Sequence, residues 1–229
     1  MITAQNGIYK LDTDNTSYIF RECESGHLQH LYYGRKIHAD AQVLCEKHVS
    51  IPGNTNIYSP DFNNFSLEDM CLEMSSWGKG DIREPFIEVS HADGSSTSDF
   101  LFESSKITLG KEESETLPGS YDEDGNVGHL TVILKDSNYN LKLELHYYVY
   151  EKCDVIARSA RLLNESDETV QIKRLMSTQL DFDMETLVCT TFHGAWAREM
   201  KRTDVCLHGG KYVNESYPGP SPSRTNPFM

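Results

Sequence analysis

The sequence predicts an all-β, antiparallel fold, and three observations carry that expectation. Apolar residues recur with a period of two, polar turns interrupt them at about every dozen residues, and no stretch keeps the i, i+3, i+4, i+7 spacing of a helix over a helix's length. Strands this short and this often interrupted imply a sandwich or a barrel.

Taken along the chain, the first clear strand is His27-Leu28-Gln29-His30-Leu31-Tyr32-Tyr33, closed by Gly34. Val49 to Asn64 follows with Pro52, Gly53 and Pro60 and no period. It reads as a long loop, and loops of that length inside a domain are often functional. Phe86 to His91 is a strand that meets Asp93-Gly94, a hairpin-turn pair. Leu130 to Leu134 is a β-branched run ended by the polar stretch Lys135 to Asn140. The next strand is the most regular: Leu141, Leu143, Leu145, Tyr147 and Val149 share one face, with Lys142, Glu144 and His146 on the other. Val155 to Leu162, a polar turn at Asn164 to Thr169, and Val170 to Ile172 continue the pattern. Leu180, Phe182 and Met184 then alternate with Asp181 and Asp183. Tyr217 to Arg224 is a Pro/Ser-rich connection leading to Asn226-Pro227-Phe228-Met229, which looks like the start of another strand, so the domain is expected to continue beyond it.

Composition narrows the function classes. With 21 Lys and Arg against 35 Asp and Glu, the 229-residue chain carries a net charge of −14, which repels phosphate backbones and anionic lipid surfaces. Neither nucleic acid nor a membrane is an expected partner. Met1 to Gly7 has no basic or apolar leader character, and no apolar run is long enough to span a bilayer, so a cytoplasmic location is expected. The six cysteines form no CxxC pair, which argues against a zinc knuckle, and they read as reduced thiols.

No G-x-S-x-G, H-E-x-x-H, P-loop or G-x-G-x-x-G motif occurs, and the nine histidines show no metal-ligand spacing, so neither a metal nor a cofactor is expected. Asp181 and Asp183, two apart on a strand, share a side and could do acid/base work. The alternative is a solvated polar face opposite Leu180, Phe182 and Met184. Ser76 to Pro85 is more informative. Gly78 and Gly80 permit a tight turn, Trp77 offers a stacking face, and Asp81 with Arg83 can form a fixed ion pair of the kind sugar sites use. The same residues could equally staple a structural turn. Phe192 to Glu199 repeats the theme with Trp196, Arg198 and Glu199 after a glycine, and could be a packed turn.

At these segments the chain resembles the α-galactosidases of glycoside hydrolase family 36. Gly26 to Gly34 is similar to the family's G-x-L-x-H-x-Y-x-G strand. Phe65-Ser66-Leu67-Glu68 and Ser76 to Pro85 are similar to its F-S-L-D and G-x-x-D-x-R-x-P blocks. Leu117-Pro118, Asp154 to Ser159, Leu180-Asp181-Phe182, Gly194 to Glu199 and Asn226-Pro227-Phe228 follow in the family's order. The resemblance implies that residues 1–229 form an N-terminal β-supersandwich, incomplete in this chain, with a catalytic (β/α)8 barrel and a C-terminal β domain in full-length members. It implies an enzyme that releases terminal α-1,6-linked galactose from raffinose, stachyose and melibiose with retention. Both catalytic aspartates belong to the barrel, so no catalytic residue is expected here.

Tetrameric members of the family reach a neighbour's active-site mouth with a loop carrying an Asp and an Arg. Where that loop reads R-L-D-R-x-F-S, this chain has Asn54-Thr55-Asn56-Ile57-Tyr58-Ser59 and lacks the acidic contact. Asn54, Thr55 and Asn56 remain candidate hydrogen-bonding partners for sugar hydroxyls, beside Trp77, Asp81 and Arg83. The expected partners are α-galactoside oligosaccharides, the protein's own barrel and further copies of itself. A stand-alone carbohydrate-binding sandwich is the rival reading, with Trp77 and Trp196 as its aromatic platform, and an interaction module without sugar contact is a third.

Overall fold

Asn6 and Gly7 open the first sheet. Both adopt left-handed backbone (φ 52° and 73°), which a two-residue hairpin of this twist requires and which Asn-Gly supplies at least cost. They join Ile2–Gln5 (β1) to Ile8–Asp12 (β2), and Thr16–Glu22 (β3) and Leu28–Arg35 (β4) complete an antiparallel meander in chain order. The structure is a computed structural model describing residues 1–45, 56–112 and 119–215. The chain divides into two compact units, Met1–Asp181 and Phe182–Met229.

In the first unit a second meander follows: Phe100–Leu109 (β6), Gly128–Asp136 (β7), Leu141–Tyr150 (β8) and Val155–Asn164 (β9) pair successively. Ile87–Ser90 (β5) and Gln171–Leu175 (β10), which bracket that meander in sequence, pair with each other as a separate two-stranded ladder. The predicted alternation places the core. Leu130, Val132 and Leu134 of β7 and Leu141, Leu143, Leu145, Tyr147 and Val149 of β8 are all buried, and they form one cluster with Tyr9, Leu11, Tyr18 and Phe20 of the first sheet. Two sheets thus press their apolar faces together, the sandwich arrangement. Aromatic rings fill the gap between them. Phe20 stacks on Tyr147 with ring centroids 5.2 Å apart and on Tyr9 at 4.9 Å.

The second unit is built on one hairpin, Leu187–Ala195 (β11) with Arg198–Leu207 (β12). Helical content among the described residues is confined to three single 3₁₀ turns, at Ala41–Leu44, Leu67–Asp69 and Glu151–Cys153. No helix among them is long and apolar enough to cross a membrane. All six cysteines are free thiols, and burial pushes that of Cys23 up to about 11.

Two expectations need correction. Leu180 to Met184 is not a strand. Leu180, Phe182 and Met184 are 41%, 41% and 60% exposed, because the neighbouring polar side chains are drawn into hydrogen bonds of their own. Phe192 to Glu199 is the tip of the β11–β12 hairpin rather than a packed turn. Trp196 stands 88% exposed there and Ala197 takes a left-handed φ of 62°. The C-terminal stretch 216–229 lies outside the described residues.

Leu143, fully buried on β8 between the two sheets, reports on this core. Truncation by Leu143→Ala is expected to cost about 2–5 kcal/mol of unfolding free energy, read from the midpoint and slope of chemical denaturation.

Candidate functional site

The turn at Trp77 to Arg83 is made by three consecutive left-handed residues, Gly78 (φ +99°), Lys79 (φ 62°) and Gly80 (φ +84°). A side chain on Gly78 would meet Thr97 Cγ2 at 2.6 Å, so the close approach requires glycine. One on Gly80 would come within 3.2 Å of the Asn56 carbonyl oxygen, so this turn lies directly against the end of the long loop. The structure therefore brings Asn56 to the Trp77–Arg83 turn. Asn54 and Thr55 lie outside the described residues.

Asp81 Oδ1 and the Arg83 guanidinium are engaged within the protein, while Asp81 Oδ2 is buried without a hydrogen-bond partner among the described residues. Asp81 is buried, and its Oδ1 accepts from the Arg83 backbone N–H at 3.2 Å and from Arg83 Nε at 2.8 Å. Arg83 Nη2 donates to the Leu67 carbonyl at 2.5 Å, and Nη1 pairs with Asp181 Oδ2. One guanidinium thus joins the turn, the Leu67–Asp69 segment and the Gln179–Asp181 segment, using the fixed fork geometry that lysine lacks. Asn56 Nδ2 donates to Glu68 Oε1 at 2.9 Å. Trp77 is 47% exposed, the most open of the predicted site residues that are described. Asp181 is no solvated strand residue: it accepts from Leu72 N–H at 2.8 Å and from Gln179 Nε2 at 3.0 Å as well as from Arg83.

A second anchor holds the same loop. Asp99, buried at the start of the second sheet's sequence, takes the Tyr58 hydroxyl at 2.9 Å, faces His27 Nε2 at 3.2 Å and lies 3.6 Å from Lys79 Nζ. Burial acts to raise its carboxyl, but His27, Tyr58 and Lys79 outweigh it and hold Asp99 below the usual carboxylate range. The Tyr58 hydroxyl, buried and facing that charge, is pushed up.

Beneath both lies a network that sequence reasoning missed. Glu73, wholly buried, accepts from the hydroxyls of Tyr18 and Tyr147, each at 2.7 Å, pairs with Arg158 Nη2 at 2.6 Å, and faces His30 Nδ1 at 3.2 Å. Arg158 Nη1 also donates to the Gln179 carbonyl at 2.9 Å, while Ser75 donates to Gln179 Oε1 at 2.8 Å. Burial opposes the Glu73 charge, yet Arg158 and His30 keep its carboxyl below the ordinary value. A signal was present: Arg158 stands on β9 opposite Tyr147, in a row with Ile156, Ala160 and Leu162 that the alternation assigns to the core. A charge at such a position demands a buried partner.

The described site contains no paired carboxylates arranged around a cleft and no nucleophile with its base. Its chemistry is that of a braced rim, with one aromatic face open. The comparisons with known proteins give that rim a context. Residues 26–229 match the glycosyl hydrolase family 36 N-terminal domain. The chain belongs to that family. The α-galactosidase AgaA of Geobacillus stearothermophilus is 30% identical to the family 36 chain over 224 residues, covering 96% of this chain and 30% of AgaA. Crystal structures agree: AgaB of the same organism superposes with a TM-score of 0.90 at 28% identity, covering 99% of this chain and 31% of that one. AgaA in complex with raffinose gives 0.85 at 29% identity, covering 96% and 31%. The family 36 chain spans a little under a third of the length of these relatives.

Two outcomes are expected from this geometry. Glu73→Gln leaves Arg158 charged without its partner and is expected to cost about 3–5 kcal/mol, with much of the loss recovered in Glu73→Gln/Arg158→Met, measured by urea denaturation. Asp99 titrates lower in the folded protein than unfolded, so its contribution is complete above the unfolded value of about 4 and is lost as pH falls through the folded value. Asp99→Asn is therefore expected to flatten the fall of stability below about pH 4 in acid-titrated thermal melts.

Proposed function

We propose that this chain is the N-terminal domain, residues 1–229, of an α-galactosidase that removes terminal α-1,6-linked galactose from raffinose- and melibiose-type oligosaccharides with retention. The observation that carries the reading is the coverage: nearly all of this chain aligns with α-galactosidases, yet it fills only 30% of AgaA's length. The catalytic aspartates then belong to a barrel outside these residues, and this domain supports that barrel, contributes oligomer contacts and forms part of the substrate entrance. The relative bound to raffinose supports the substrate class. The acidic net charge of −14 fits a cytoplasmic enzyme with a neutral sugar substrate rather than a phosphate-bearing one.

Within this reading the candidate residues divide by what they touch. Trp77 is the stacking face offered to a sugar, since half its surface is open. Asn56, against Gly80, is a hydrogen-bonding group of the same entrance, with Asn54 and Thr55 proposed for the same role from the family resemblance alone, while Asp81 and Arg83 hold the turn that presents Trp77.

Two assays test this. The purified 1–229 chain is expected to leave an aryl α-galactoside intact, while the whole enzyme hydrolyses it and raffinose; turnover by 1–229 alone overturns the proposal. In the whole enzyme, Trp77→Ala is expected to raise KM for raffinose roughly two- to tenfold with kcat unchanged. An unchanged KM removes Trp77 from the entrance.

A further inference from the structure

The nine histidines show no metal spacing along the sequence, but the antiparallel register of β7 and β8 brings two of them together. Thr131 pairs with His146 and His129 with Tyr148, so the two histidines sit diagonally on the face of the second sheet opposite Leu130 and Leu145. His129 Nε2 and His146 Nδ1 are 3.1 Å apart. Glu112, just beyond β6, places Oε1 3.7 Å from His129 Nδ1. One ligand atom from each of the three residues can be chosen so that all lie within 4.8 Å of one another.

We propose that Glu112, His129 and His146 form a binding site for a divalent transition metal of the zinc class. Imidazole nitrogens bind zinc at about 2.0–2.1 Å, so two of them sharing one ion stand roughly 3–3.4 Å apart, and the observed separation already falls in that range. Two neutral imidazoles and a carboxylate are a zinc donor set, whereas calcium and magnesium take oxygen.

The surroundings assign the parts. His129 is the fixed ligand: it is buried, stacked on Tyr148 at 4.3 Å, and its far nitrogen, Nδ1, faces the Thr108 hydroxyl at 3.3 Å, while Thr131 Oγ1, 3.0 Å from Nε2, gives way to the ion. Ring orientation held by such outer partners is what metal-bound histidines require. His146 and Glu112 are the movable ligands, with side chains 12% and 68% exposed. The ring centroids are 5.3 Å apart with planes 25° from parallel. The ion takes the place of the hydrogen bond between Nε2 and Nδ1, whose proton moves to the far nitrogen of its own ring as His146 swings out and Glu112 swings in. His146 Nε2 already lies 3.5 Å from Glu144, a carboxylate able to orient its ring. Lys111, 4.1 Å above the Tyr148 ring, opposes the cation, and the metal has to outcompete it. The site joins the residue after β6 to β7 and β8, so an ion there clamps that edge of the sandwich.

The test is calorimetric titration of zinc chloride into the chelator-treated whole protein, together with hydrogen exchange with and without zinc. One zinc per chain is expected, with slower exchange in β7 and β8. His146→Gln is expected to weaken binding tenfold or more and Glu112→Gln at least threefold. The exposed Glu112 variant keeps the test decisive if His146→Gln folds poorly. Absence of zinc binding, or binding and exchange protection unaltered in Glu112→Gln, overturns the proposal and leaves a hydrogen-bonded histidine pair.

Discussion

The sandwich is organised around the buried ion pair between Glu73 and Arg158. Glu73 arrives on an irregular segment that runs beside β4, where its backbone N–H donates to Leu28 and the Cys71 carbonyl accepts from His30. Its partners come from β3, β4, β8 and β9. Apolar contact alone presses two sheets together without fixing their relative slide, because the hydrophobic effect has no direction. Four groups converging on one carboxylate fix that slide. Removing a full charge from water is costly, and only the completeness of this network offsets it.

From that centre the polar contacts lead outward to the rim. Arg158 holds the Gln179 carbonyl, Gln179 holds Asp181, Asp181 pairs with Arg83, and Arg83 fixes the turn that exposes Trp77. Asp99 braces the same turn from the other side through Lys79 and Tyr58. The one open aromatic of the rim is thus carried on a chain of charge-assisted bonds reaching back into the core.

Much of this was legible before any coordinates. β8 follows from strict alternation, because one face of it is buried, and β7 and β9 follow from the apolar runs on either side of it. β1 and β2 were legible too, through the unread Asn6-Gly7 turn. β11 and β12 escaped because β11 is half-buried along nearly its whole length and β12 is largely exposed, so no alternation marks them. β6 is blurred by a register shift between Phe102 and Ser104. In the site, the turn and its Asp81–Arg83 pair were visible as local motifs. Glu73 was not, because its partners are distant in sequence and nothing nearby distinguishes it from a surface acid. The His129–His146 approach likewise exists only in the register of two strands.

The strand order carries one more consequence. In both meanders every strand pairs with its neighbour in the chain, so each pairing closes a short loop, apart from the longer 110–127 connection between β6 and β7. Joining distant segments costs more entropy than joining near ones, and two of the contacts that bear that cost are the β5–β10 ladder and the Glu73–Arg158 pair. Both span the second meander. A costly closure is thus secured by a buried ion pair, and the two meanders are free to assemble as local units before it is made.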